Sequence, residues 1–197
     1  MESFLKFLPL LGAGLLVTIL LAAISTICGG LLGLCIAYFR RRQIRIVSAL
    51  VDLITDLLLC IPPLVLLFIL YYGLPFSPGG ITLSAFAASA VGLSLIFAAS
   101  SARSLQLELK SGDPKMTVKD LLQACAPELL LQAIETVKHT ALASFIVVPE
   151  LFYTAKVWNA STLSGTPYLV TGLIYVLLLW PLLRVAGRLR ASGSFAV

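Results

Sequence analysis

The chain has 197 residues, of which 59% are hydrophobic and 12% charged, and its mean hydropathy is +1.03. A water-soluble fold of this size cannot cover so much apolar surface, so a soluble globular domain is excluded. The net charge of +5 sits in short Lys and Arg clusters between hydrophobic runs, a positive-inside pattern rather than the single basic stripe of a nucleic-acid-binding face.

A bilayer core about 30 Å thick needs roughly 20 apolar residues per helix. Five such stretches fit, which predicts an all-α integral membrane protein with about five transmembrane helices in one domain, residues 1–190, with a short tail at 191–197. The first span, 8–39, lacks a basic leader and a clear cleavage site and is read as a true span. Gly29 and Gly33 form a small-xxx-small pair in it, suited to packing within the subunit or to a dimer seam. After Arg40, Arg41, Arg42 and Arg45 comes span two, 46–72, where Pro62 and Pro63 remove two backbone donors and predict a kink. A charge-free Pro, Gly and Ser turn from Gly73 to Gly80 leads to span three, 81–105, rich in Ala and Ser and so expected to be central.

Residues 113–127 are polar. Asp113-Pro114 reads as a helix start, and Thr117 with Asp120 has capping-box spacing. Val118, Leu121, Leu122 and Cys125 follow at i, i+3, i+4 and i+7, which predicts a short amphipathic helix outside the membrane, flanked by Lys115 and Lys119. Span four, 128–153, carries Glu135, Lys138 and His139 near its middle. A loop with Lys156, Trp158, Gly165 and Pro167 leads to span five, 168–185, with Tyr168 and Trp180 as interface anchors. All basic clusters except Lys6 and Lys156 then fall on one side, which sets the N-terminus outside and the C-terminus in the cytoplasm.

Ionisable groups inside a membrane are costly and mark candidate sites. Glu135 with His139 and Glu135 with Lys138 stand at i, i+4 and i, i+3, so the three share a face, either as a self-neutralising cluster or as the lining of a solute path. Thr140 belongs to the same candidate wet face. Asp52 and Asp56 lie near the Arg40 to Arg45 cluster and are expected to pair with it, and Glu150 is expected to reach the interface. Cys28, Cys35, Cys60 and Cys125 have no metal-ligand spacing and read as buried thiols, and His139 is the sole histidine. No Gly-rich phosphate loop precedes a Lys, so neither a catalytic site nor a cofactor is expected in this chain.

Four stretches resemble the permease subunits of ABC importers of the polar amino acid uptake family, which includes the histidine and glutamine permeases. Gly14 to Arg40, with Thr18, Gly29, Gly33 and Ala37, is similar to the family's opening span, and Pro62 to Pro75, closing with Tyr71-Tyr72-Gly73-Leu74-Pro75, to its second. Leu83 to Ala102, with Leu93-Ser94-Leu95, is similar to its third. Lys138-His139-Thr140-Ala141-Leu142 with the later Glu150-Leu151 is similar to its Lys-Asp-Thr-Ser-Leu and Glu-Leu patterns. The resemblance implies a five-span subunit of the bacterial inner membrane, working with a second permease, two cytoplasmic ATPases that bind ATP and Mg, and an external solute-binding protein. The chain departs from the pattern in three places. Leu59-Cys60-Ile61 stands where the family has Arg-Gly-Thr, and Arg103 stands near a customary Glu. The loop that carries the Glu-Ala-Ala coupling signature is shortened by roughly a helix and a half, and Glu-Ala-Ala occurs nowhere. Thr117, Val118, Leu121, Leu122 and Cys125 are a candidate replacement for docking the ATPase, or else an interfacial helix. The expected function is a transport subunit with a different permease as partner, the alternative a scaffold or regulatory subunit that keeps the permease fold.

Overall fold

The structure is a computed structural model and describes residues 2–41, 45–111 and 116–193. Seven α-helices make up nearly all of it, and no strand occurs among the described residues. A long, mostly apolar stretch rich in Leu, Ile, Ala and Gly gives α1, Glu2–Arg41, a 40-residue helix about 60 Å long that serves as the spine. Helix α4, Ala85–Ser111, lies along it. Gly29 and Gly33 make that approach possible, since a Cβ on Gly29 would meet the Ser94 carbonyl at 2.6 Å and one on Gly33 the Ala98 carbonyl at 2.9 Å. The glycine pair is therefore used within the chain.

The expected kink in span two is a full break. Helix α2, Arg45–Cys60, stops before Pro62, and α3, Pro63–Phe68, starts with Pro63 at its first position, where a missing N–H costs nothing. The two segments meet at 102°. A π turn, Ile69–Gly73, and a 3-10 turn, Leu74–Phe76, complete the segment, and α4 starts at Ala85 rather than at 81.

Two boundaries differ from expectation more strongly. Helix α5 runs from Val118 to Thr140 straight through Pro127, so the amphipathic segment and the first half of span four are one helix. The capping box is present: the Thr117 hydroxyl accepts from the Asp120 N–H, and the Asp120 carboxylate accepts from the Thr117 N–H at 3.1 Å. Asp113, Pro114 and Lys115 lie outside the described residues. Span four does not continue to 153. A 3-10 segment, Ala141–Ile146, follows α5, and after Pro149 the chain restarts as α6, Leu151–Thr162, where a loop was expected. Helix α7, Thr166–Gly193, is longer than the expected fifth span at both ends.

Three helices, around Phe7–Arg40, Ala85–Lys110 and Thr166–Ala191, are long and apolar enough to cross a membrane, and the number rises to as many as five when each of two bent pairs is counted as one span. The chain is a multi-pass membrane protein. Three buried clusters hold it together, each with α1 in it. Leu21, Leu67, Leu93 and Ile146 join α1, α3, α4 and the 3-10 segment. Ala37, Leu105, Leu121 and Cys125 join α1, α4 and α5. Leu11, Leu151 and Trp158 join α1 to α6, with Phe7 stacked on Trp158 at 5.4 Å.

Candidate functional site

Helix α5 lies between α4 and α7, and between those contacts it shows an open face. Glu135 and Lys138 form its crest, paired at 2.5 Å and both half-exposed. An unpaired charge at membrane depth is costly, and the i, i+3 spacing lets each neutralise the other. On the α4 side a groove of about 230 Å³ is lined by Ser100, Gln132, Glu135, Thr136 and His139. The Gln132 amide donates to Ser104 Oγ at 2.8 Å, while its carbonyl Oε1 is buried without a hydrogen-bond partner. On the α7 side Lys138 and Tyr175 line two adjoining grooves, of about 260 and 400 Å³, whose other walls are almost entirely apolar.

The structure thus brings Glu135, Lys138 and His139 to one face, with His139 sharing a groove with Glu135. Thr140 is different. It is fully buried, and its hydroxyl donates to the Val137 carbonyl at 2.7 Å, so it offers nothing to a solute on that face. Pro62 and Pro63 lie away from this face, at the α2–α3 break.

The docking stripe is also divided. Leu121 and Cys125 point inward and pack against Ala37 and Leu105, so the chain's own core uses half of the stripe. Val118 and Leu122 remain exposed, as does Thr117 beside its cap. The periodicity was that of an amphipathic helix, and its apolar side found α1 and α4 instead of a foreign surface.

Two buried charged groups were underrated by the sequence. Arg40 ends α1 with its side chain almost wholly buried; it pairs with Asp52, donates to Gln106 at 2.6 Å and reaches Thr55 at 3.4 Å. The expected pairing of Asp52 holds, whereas Asp56 turns to Arg103 at 3.7 Å. Glu150 does not reach an interface. It is fully buried and caps α6, accepting from the N–H groups of Phe152 at 2.8 Å and Tyr153 at 2.7 Å, with hydroxyl contacts from Tyr175 and Thr18 at 3.2 and 3.4 Å. Thr18, a polar residue within an apolar span, was the available signal. Three cysteines depart from the expected burial: Cys28, Cys35 and Cys60 are exposed, and Cys125 alone is buried. No group of three metal-ligating side chains occurs among the described residues.

No protein-family model matches the chain. Among curated proteins it is similar to the "probable amino-acid ABC transporter permease protein YckA" of Bacillus subtilis (strain 168), with 29% identity in a gapped alignment 193 residues long that covers 88% of this chain and 83% of the relative. The "probable glutamine ABC transporter permease protein GlnP" of the same organism is 26% identical over 211 residues, covering 96% of each. That alignment is longer than the 197-residue chain, so the relative carries residues with no counterpart here. Among solved structures, a chain from the crystal structure of an amino acid ABC transporter with histidines superposes with a TM-score of 0.85 at 23% identity, covering 94% of this chain and 95% of that one. The chain is therefore similar in sequence, along most of its length, to amino-acid ABC transporter permeases, and in fold to a chain of an amino acid ABC transporter.

Proposed function

We propose that the chain is a membrane-spanning subunit of an ATP-driven importer for amino acids or similar small polar solutes. Similarity along nearly the whole chain to amino-acid ABC transporter permeases carries this reading. It sits in the bacterial cytoplasmic membrane with its N-terminus outside and its C-terminus in the cytoplasm, the arrangement that puts Arg40, Arg103 and Arg190 on the inner side. The chain itself is not an enzyme. ATP and Mg are handled by two separate cytoplasmic ATPase subunits, and an external binding protein delivers the solute.

The α5 face is the solute path. Glu135 can meet an ammonium group and Lys138 a carboxylate, with His139 adding hydrogen-bonding capacity in the α4-side groove. Only residues 112–117 separate α4 from α5, and the inward side of the Thr117 to Cys125 segment is occupied. A different permease subunit, with a longer connection there, supplies the main contact to the motor, and Val118 and Leu122 add at most a small one.

The test is uptake of a radiolabelled amino acid pool by the assembled complex in proteoliposomes. Glu135→Gln and His139→Ala are expected to lower uptake by about tenfold each, the worth of one lost desolvated hydrogen bond, with subunit composition unchanged. Unchanged uptake in both variants would contradict the path and favour a scaffold.

A further inference from the structure

The junction between α5 and α6 combines strain with a tight buried knot. Six residues of 3-10 helix, Ala141–Ile146, follow α5, longer than the three or four that this poorer geometry usually sustains. Val147 then adopts φ 66°, ψ 27°, the left-handed region that a β-branched side chain disfavours most. Such a conformation persists only where the surroundings over-determine it. Here they do. Glu150 has four hydrogen-bonding contacts, and the Thr18 hydroxyl that makes one of them also accepts from the Leu151 N–H at 3.1 Å. Gly14 lets α1 press against this point, since a Cβ there would lie 3.0 Å from both the Glu150 carbonyl and Leu151 Cα. From α6, Lys156 reaches back across the junction and donates to the Ser144 carbonyl at 3.2 Å.

One member of the knot is also part of the candidate path. The Tyr175 ring lines both α7-side grooves beside Lys138, while its hydroxyl donates to Glu150. A solute that displaces the ring removes a hydrogen bond from a buried carboxylate.

We propose that the α5–α6 junction is a latched hinge: the Glu150 knot holds Val147 in its strained form, and displacement of Tyr175 by solute on the α5 face releases it, letting α6 swing relative to α5. The inference rests on the α5 face being the solute path. The latched form is the one with the 48° bend. In the released form Val147 leaves the left-handed region, so strain relief offsets part of the lost hydrogen bonding. The two forms are then close enough in free energy for a ligand to shift them.

The test is a pulsed-EPR distance between nitroxides at Ala124→Cys and Ala160→Cys, in the full complex in nanodiscs, with Cys28, Cys35 and Cys60 replaced by Ser. The parent should show one dominant distance and a minor one. Tyr175→Phe, which keeps the ring and removes the donor, should raise the minor population about tenfold. Val147→Gly, which tolerates the left-handed form, should lower it about fivefold. A single distance common to the parent and both variants would overturn the hinge, and two distances insensitive to Tyr175→Phe would overturn the latch. Neither readout requires transport, so a hinge that behaves as expected while Glu135 and His139 variants import normally would separate this inference from the path assignment.

Discussion

Gly33 stands where α1 and α4 touch, with the Ala98 carbonyl and the Ala102 N–H within 3.1 Å of any Cβ placed there, whereas Gly12 has open space around it. Gly33→Val should therefore lower the stability of the solubilised chain by about 2 kcal/mol through overpacking, and Gly12→Val should leave it unchanged. Thermal unfolding in detergent reads both, and equal effects would contradict the close approach. At this scale the sequence was legible where a residue acts through its neighbours in the chain. The Glu135–Lys138 pair and the Thr117–Asp120 cap follow from spacing alone. It was not legible at Glu150, whose burial depends on Thr18, 132 positions away, and on Tyr175 from α7. Thr140 differs for a simpler reason: it stands one turn after the buried Thr136, and α-helical spacing turns it away from Glu135 and Lys138 into the core.

Helix α2 exposes Leu50, Leu53, Ile54 and Leu57, and its attachment to α1 and α4 relies on Arg40 at its centre. Arg40→Ala removes a buried side chain with its hydrogen bonds to Gln106 and Thr55 and should cost about 2 kcal/mol, while Asp52, half-exposed, is left to water. Arg103→Ala removes a longer, exposed contact to Asp56 and should have little effect on the same unfolding measurement. The segment before Pro127 can be tested in the same way. Leu121→Ala should destabilise the chain by about 3 kcal/mol, as for a fully buried leucine, while Leu122→Ala should be neutral to stability. The reverse order would mean that the outward side of α5 carries the packing. Proline chemistry explains why one break was readable and another was not. Paired prolines at Pro62 and Pro63 end one helix and begin the next, but the single Pro127 is absorbed within α5 because packing against Ala37 and Leu105 holds the helix on both sides of it.

The molecule as a whole is a spine, α1, against which α4, α5 and α6 pack, with Glu135 and Lys138 left on the open face of α5. Composition alone was enough to specify a membrane protein, because hydrophobic length is set by bilayer thickness and needs no tertiary information. The number of crossings was less direct, since three helices are long and apolar enough on their own and a count of five needs each of two pairs bent by 102° and 48° to act as one span. An exposed face with Glu135, Lys138 and a groove lined by His139 is expensive against lipid, which calls for a covering partner or a wet path. The most direct measurement is the subunit composition of the complex purified gently through a tag on this chain. The account predicts an ATPase and a second, different permease with a longer connection at the position of residues 112–117. Recovery of this chain alone, or of a complex without an ATPase, would contradict it.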